Sequence, residues 1–92
     1  MIKTTTIYKR KFSKISNVQD YEQILYNLCI TSENNVNLYG IEIISKRHNT
    51  KHCQLINISH SKSYILEILK FLYENAVKPD VAPGIISDIF NL

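Results

Sequence analysis

The chain reads as a two-layer α+β domain, an antiparallel sheet of about four strands packed against one long and one short C-terminal helix. Three observations predict that class. Strand-like alternation of apolar and polar residues runs through most of the chain up to Ser59, the apolar period then changes to a helical one, and both prolines, Pro79 and Pro83, fall after that change. Ninety-two residues bound the architecture to a single domain, 1–92, with room for one modest core and no deep cleft between lobes. At 45% hydrophobic and 21% charged residues, with 2 Gly and 2 Pro, low-complexity and linker-like segments are excluded.

The first strand is expected over residues 4–12, which are rich in β-branched and aromatic side chains. Thr6, Tyr8, Arg10 and Phe12 share one parity there, and Ile7, Lys9 and Lys11 the other. Ser13 to Asp20 reads as a connection. Residues 21–31 admit two readings. Ile24, Tyr26, Leu28 and Ile30 alternate as in a strand, whereas Tyr21, Ile24, Leu25 and Leu28 fit a helical stripe. The polar turn Ser32-Glu33-Asn34-Asn35 and a further strand beginning at Leu38 favour the strand.

Residues 38–46 place Tyr39, Ile41 and Ile43 on one face, and residues 54–58 place Ile56 and Ile58 on one face with Leu55 on the other. Arg47-His48-Asn49-Thr50-Lys51 joins them as a hairpin turn, and Gly40 marks a bulge or a tight crossing. A helix follows over residues 61–77, because Ile65, Ile68, Leu69, Leu72 and Ala76 fall on one stripe. Ser61 is its expected N-cap, with Ser59 competing, and Pro79 stops it. Asp80 then caps a short helix to about Phe90, with Pro83 in its first turn and Ile85, Ile86, Ile89 and Phe90 as its apolar stripe.

These same signals carry a resemblance. Tyr39-Gly40-Ile41-Glu42-Ile43, Ile56-Asn57-Ile58-Ser59 leading into a helix, and Val77-Lys78-Pro79 before Ile85-Ile86-Ser87-Asp88-Ile89-Phe90 are similar to a family of small uncharacterised proteins from clostridia and related Gram-positive bacteria. The resemblance covers residues 38–92. It implies a bacterial, cytoplasmic protein with a small α+β fold, and it brings no catalytic residues with it. Heavy use of Ile, Lys and Asn agrees with an A/T-rich coding genome. No window approaches about 18 uninterrupted apolar residues, and no apolar signal core follows Lys3, which also points to the cytoplasm.

Charge is the clearest functional signal. The net value is +3, with Lys3, Lys9, Arg10, Lys11 and Lys14 near the start and Lys46, Arg47, Lys51 and Lys62 around the hairpin turn, where His48, His52 and His60 also lie. If the first strand lies beside that hairpin, the groups merge into one basic face suited to an acidic partner or to phosphates. The three histidines match no standard zinc spacing and lack a nearby carboxylate, so no metal or other cofactor is expected. Cys29 and Cys53 read as two buried thiols in strands. No GxSxG elbow, GxxxxGK loop or paired-carboxylate pattern is present, so catalysis is not expected.

Six tyrosines and no tryptophan add interface character, most of all at Tyr8, Tyr64 and Tyr73. The sequence therefore points to a small non-catalytic binding or regulatory protein that docks to another protein. A homodimer through the first strand and an inhibitor encoded by a mobile element are special cases. The candidate contact residues are Tyr8, Lys9, Arg10, Lys11, Lys46, Arg47 and Lys51. The alternative is a nucleic-acid-binding protein using the same basic face.

Overall fold

Four strands, β1 (Ile2–Phe12), β2 (Glu22–Glu33), β3 (Val36–Lys46) and β4 (Thr50–Ser59), form one antiparallel meander in the order β1-β2-β3-β4. Two helices follow, α1 (Lys62–Glu74) and α2 (Ala82–Phe90). The computed structural model describes residues 2–12, 21–47 and 50–90. The expected connection at residues 13–20, together with Lys14, His48 and Asn49, lies outside the described residues. The α+β class expected from the sequence is the one observed.

Of residues 21–31, all from Glu22 onward lie in strand β2, and their double reading has a physical cause. β2 is an inner strand, and Tyr26, Asn27, Leu28 and Cys29 are buried in succession, Tyr26 and Leu28 beneath the helices and Asn27 and Cys29 among side chains of the flanking strands, so the alternation of burial is blurred. Ile24, Tyr26 and Leu28 join Ile41 and Ile43 of β3 and Ile65, Ile68, Leu69 and Leu72 of α1 in the core. Asn34 (φ 51) and Asn35 (φ 65) both occupy the left-handed region between the paired residues Glu33 and Val36. That is the signature of a two-residue type I′ turn, whose twist suits a hairpin. It lets β3 begin at Val36, before the expected Leu38.

Irregularities in the outer strands correct two expectations about faces. β1 slips register between Thr6, opposite Asn27, and Tyr8, opposite Tyr26, leaving Ile7 as an extra residue. Thr6 therefore does not share a face with Tyr8, Arg10 and Phe12. Those three turn toward the helices, while Lys9 and Lys11 point away from them. In β4 the register shifts between Leu55, opposite Ile41, and Ser59, opposite Tyr39, and Asn57 carries φ 58. Leu55 and Ile58 consequently both pack on the core, whereas Ile56 is exposed, so Ile56 and Ile58 do not share a face. Gly40 serves this crossing. A Cβ there would stand 2.7 Å from the Ile56 Cα and closer still to the Leu55 carbonyl oxygen.

Ser61 caps α1, its Oγ accepting from the Tyr64 amide at 3.2 Å, while the Ser59 hydroxyl accepts from the Ser61 amide at 3.0 Å. Both serines take part in the entry to the helix. The exit departs from expectation, because α1 ends at Glu74, well before Pro79. Ala76 sits at φ 50, its amide donates to the Tyr73 carbonyl at 3.1 Å, and the Val77 amide donates to the Leu72 carbonyl at 2.9 Å. This pair of bonds is a Schellman closure with alanine where glycine usually stands. Val77 and Leu72 are both buried beneath it, supplying the apolar contact that accompanies the motif. α2 begins at Ala82, past Asp80, after a turn in which the Val81 and Ala82 amides donate to the Lys78 carbonyl. Asp80 is therefore outside the N-cap position. Ala82 and Ile86 are buried, and Phe90 meets Tyr64 edge-to-face at 5.5 Å.

Left-handed alanine costs roughly 1 kcal/mol relative to glycine, so Ala76→Gly is expected to raise stability by about that amount and the melting midpoint by about 4–8 °C. Gly40→Ala should do the opposite by about 2–3 kcal/mol, because the added methyl meets backbone that has no rotamer to yield. Urea unfolding of the two variants beside the parent checks both signs.

Candidate functional site

The end of α1 is fastened to β1 and β2 by aromatic and cationic contacts. The Arg10 guanidinium donates through Nε and Nη2 to the Tyr73 carbonyl at 3.2 and 2.8 Å, and its Cζ lies 4.6 Å from the Tyr73 ring centroid. Tyr8 stacks on Tyr73 at 4.7 Å, Tyr26 meets it edge-on at 5.9 Å, and the Tyr26 hydroxyl donates to the Val77 carbonyl at 3.0 Å. Burial, slightly opposed by the charge of Arg10, pushes the Tyr26 phenol up to about 12, so its hydroxyl remains a donor throughout the neutral range. α1 has no basic residue of its own in its last turn, and Arg10 supplies that charge from across the fold. Tyr8, Arg10 and Tyr73 are thus engaged internally, and only part of their surface remains accessible.

The opposite face of the sheet carries a different set of side chains. Pairing across the strands gives one row of Lys9, Leu25, Ile44 and His52, and a second of Lys11, Gln23, Lys46 and Thr50. Lys9, Lys11 and Lys46 are exposed, and Lys11 and Lys46 stand two strand spacings apart, about 10 Å. β1 does not lie beside the hairpin, since β2 intervenes, yet Lys9, Lys11 and Lys46 still meet at the same end of this face. A third row is polar and ordered. Asn27 Nδ2 donates to Glu42 Oε1 at 2.9 Å, the His52 Nε2 lies 2.8 Å from Glu42 Oε2, and Gln54 Nε2 donates to the same oxygen at 3.3 Å. Glu42 is the carboxylate beside a histidine that linear spacing did not reveal. It stands between Ile41 and Ile43 on the other parity, which is the one signal that pointed to it.

Cys29 lies in the next row, its sulfur 3.9 Å from both the Thr4 hydroxyl and the Gln54 amide nitrogen. Burial raises its thiol above the usual value despite those two contacts, and burial alone raises that of Cys53. Cys53 is only partly buried and packs on the core, opposite Ile43, so the two free thiols lie on different faces of the sheet. Among the described residues no three His, Cys, Asp or Glu side chains converge in a metal-holding group, and no helix is long and apolar enough to cross a membrane.

Arg47 and Lys51 are placed elsewhere. With Glu22, Ser45, Lys78, Pro79 and Asp80 they line a cavity of about 350 Å³ on the helix side of the same sheet end. Glu22 is 7% exposed there, accepting from the Ser45 hydroxyl at 2.6 Å and pairing with the Lys78 ammonium at 3.1 Å. Burial drives its carboxyl up, but the Ser45 hydrogen bond, the bond and charge of Lys78 and the charge of Arg47 outweigh it and hold the group below its usual value. Glu22, Ser45 and Lys78 were not singled out from sequence, since their meeting depends on how the α1–α2 turn falls over the sheet. A second concavity, between the ends of the helices, is apolar, with Phe71 and Val81 about half exposed along it.

Against this geometry stands a family whose profile, described as a family of unknown function (DUF6514), matches residues 3–92. The chain belongs to DUF6514. The DUF6514 match includes β1 and β2 as well as the segment 38–92 that carried the resemblance in sequence, so the N-terminal strands are part of the family unit. No curated protein and no solved structure matches this DUF6514 member.

A carboxyl held low by its folded surroundings contributes stability above its unfolded value and loses it as the pH falls through the folded one. The urea midpoint of the parent is therefore expected to fall below about pH 4.5, the ordinary value for this group. Glu22→Gln should flatten that part of the profile and cost about 1–2 kcal/mol at pH 7 through the weakened links to Ser45 and Lys78.

Proposed function

We propose that this protein is a non-catalytic docking module whose helix-free sheet face receives an acidic surface of a partner protein. One observation carries the reading: the rows Lys9-Leu25-Ile44-His52 and Lys11-Gln23-Lys46-Thr50 place three exposed lysines around two apolar side chains, and contain no acid. An apolar centre within a charged rim is the usual anatomy of a protein contact, and the lysines complement carboxylates. The adjoining Asn27-Glu42-Gln54 row is fixed by its own hydrogen bonds, so the partner meets a face already in its bound arrangement. Tyr8 and Arg10 position β1 for this contact from the other side. A small bacterial inhibitor or regulator working in the cytoplasm is the setting in which such a module fits best.

The test begins with co-purification from the native host, identification of the retained protein by mass spectrometry, and its reconstitution in pure form. Lys9→Glu, Lys11→Glu and Lys46→Glu combined should weaken that complex by about tenfold or more, whereas Lys62→Glu with Lys70→Glu on α1 should leave it within about twofold. Equal losses from both sets, or a purified protein that binds DNA or RNA with a steep inverse dependence on salt, would replace this reading with general attraction to phosphates.

A further inference from the structure

The helix layer keeps exposed apolar surface of its own. Phe71 on α1 and Val81 in the turn before α2 are 48% and 54% exposed, and Ile85 and Ile89 continue the line of Val81 along α2 at four-residue spacing. Phe71, Val81 and Ile85 line an open groove of about 440 Å³ together with the turn that ends α1. Two polar side chains line it, and both are committed. Asn75 Nδ2 donates to the Phe71 carbonyl at 2.8 Å, and the Lys78 ammonium lies 3.1 Å from Glu22. The groove therefore suits an apolar occupant.

Shape and charge point to a second copy of the chain. A phenyl ring fits, since a cavity of about 150 Å³ already holds benzene, and Phe71 stands at the border of the groove. A twofold axis beside Phe71 seats each ring in the groove of the other copy, so the same contact is made twice. Within about a turn of Phe71, Glu67 and Glu74 lie beside Lys70, so two such surfaces meet with both signs present. The sheet face repels its own copy, because Lys9, Lys11 and Lys46 have no acid in their rows.

We propose that the protein forms a twofold dimer through this helix surface, the Phe71 ring of each copy seated between Phe71, Val81 and Ile85 of the other. The pairing leaves the lysine rows facing outward on opposite sides of a sheet-helix-helix-sheet particle, and it does not rest on what those rows bind. With so few anchors the interface is small, and a dissociation constant of roughly 1–100 μM is expected.

Sedimentation equilibrium of the full chain from about 1 to 1,000 μM tests this. The expected result is a reversible equilibrium that stops at two copies, since an isologous contact closes on itself. Phe71→Lys and, separately, Val81→Asp should each weaken association about tenfold or more. Both positions are exposed, and a cation at position 71 follows Glu67 by four residues, so α1 is expected to persist and the amide spectrum to remain dispersed. In a mixture of isotope-labelled and unlabelled chain, filtered NOEs should join the Phe71 ring of one copy to the Val81 and Ile85 methyl groups of the other. Lys9→Glu, Lys11→Glu and Lys46→Glu combined should leave the dissociation constant within about twofold, which separates this contact from the docking face. A monomer throughout that range, unchanged association in either the Phe71 or the Val81 variant, growth beyond the dimer, or intermolecular NOEs to β1 or to the Leu25 and Ile44 side chains would each overturn the proposal.

Discussion

The carbonyl groups at the end of α1 must find donors, and the way they do so governs where everything after Tyr73 lies. Three donors converge on the Tyr73 oxygen, two from Arg10 and one from the Ala76 amide, while Val77 offers its carbonyl to the buried Tyr26 hydroxyl. A helix terminus left without such partners over an apolar sheet would be costly. Because β1 and β2 supply them, the chain leaves α1 in one direction only. That direction brings Lys78 to Glu22, lays Pro79 over the sheet end, and allows Ala82 and Ile86 to close the core.

The same arrangement explains why the two sides of the sheet differ in chemistry. Apolar side chains of β2 and β3 meet the helices, and the other side joins the Leu25 and Ile44 side chains to a row of hydrogen-bonded polar groups. Glu42 is tied to Asn27, Gln54 and His52, so the row beside Leu25 and Ile44 is ordered by polar contacts. Asn27 Oδ1 and Thr31 Oγ1 are buried there with no hydrogen-bond partner among the described residues. Such a surface favours recognition by charge and hydrogen bonding over non-specific adhesion.

Local periodicity made most of the fold legible. The stripe of Ile65, Ile68, Leu69 and Leu72 and the Ser61 cap could be read in order, because each depends on neighbours in the chain, and the crossing at Gly40 could be read because a glycine within a strand marks one. What escaped depends on a residue adopting a conformation its type disfavours. Ala76 in the left-handed region ends α1 ahead of Pro79, and nothing in an alanine announces that. Ile7 is an extra residue in β1, and residues 56–58 of β4 stand where β3 has Gly40 alone, which sets Thr6 apart from Tyr8, Arg10 and Phe12, and Ile56 apart from Ile58. The basic character of one sheet end was visible as composition. Its division into Lys9, Lys11 and Lys46 on one side and Arg47 and Lys51 on the other was not, since that follows from strand order and register.

The irregularities of β1 and β4 also change the borders of the sheet. Both free edges of the sheet, β1 and β4, are interrupted within their length, at Ile7 and at Asn57. An approaching strand finds no long unbroken ladder of amides and carbonyls on either border. In a fold whose described residues are more than half extended, each border thus offers only short stretches of regular backbone for edge-to-edge pairing.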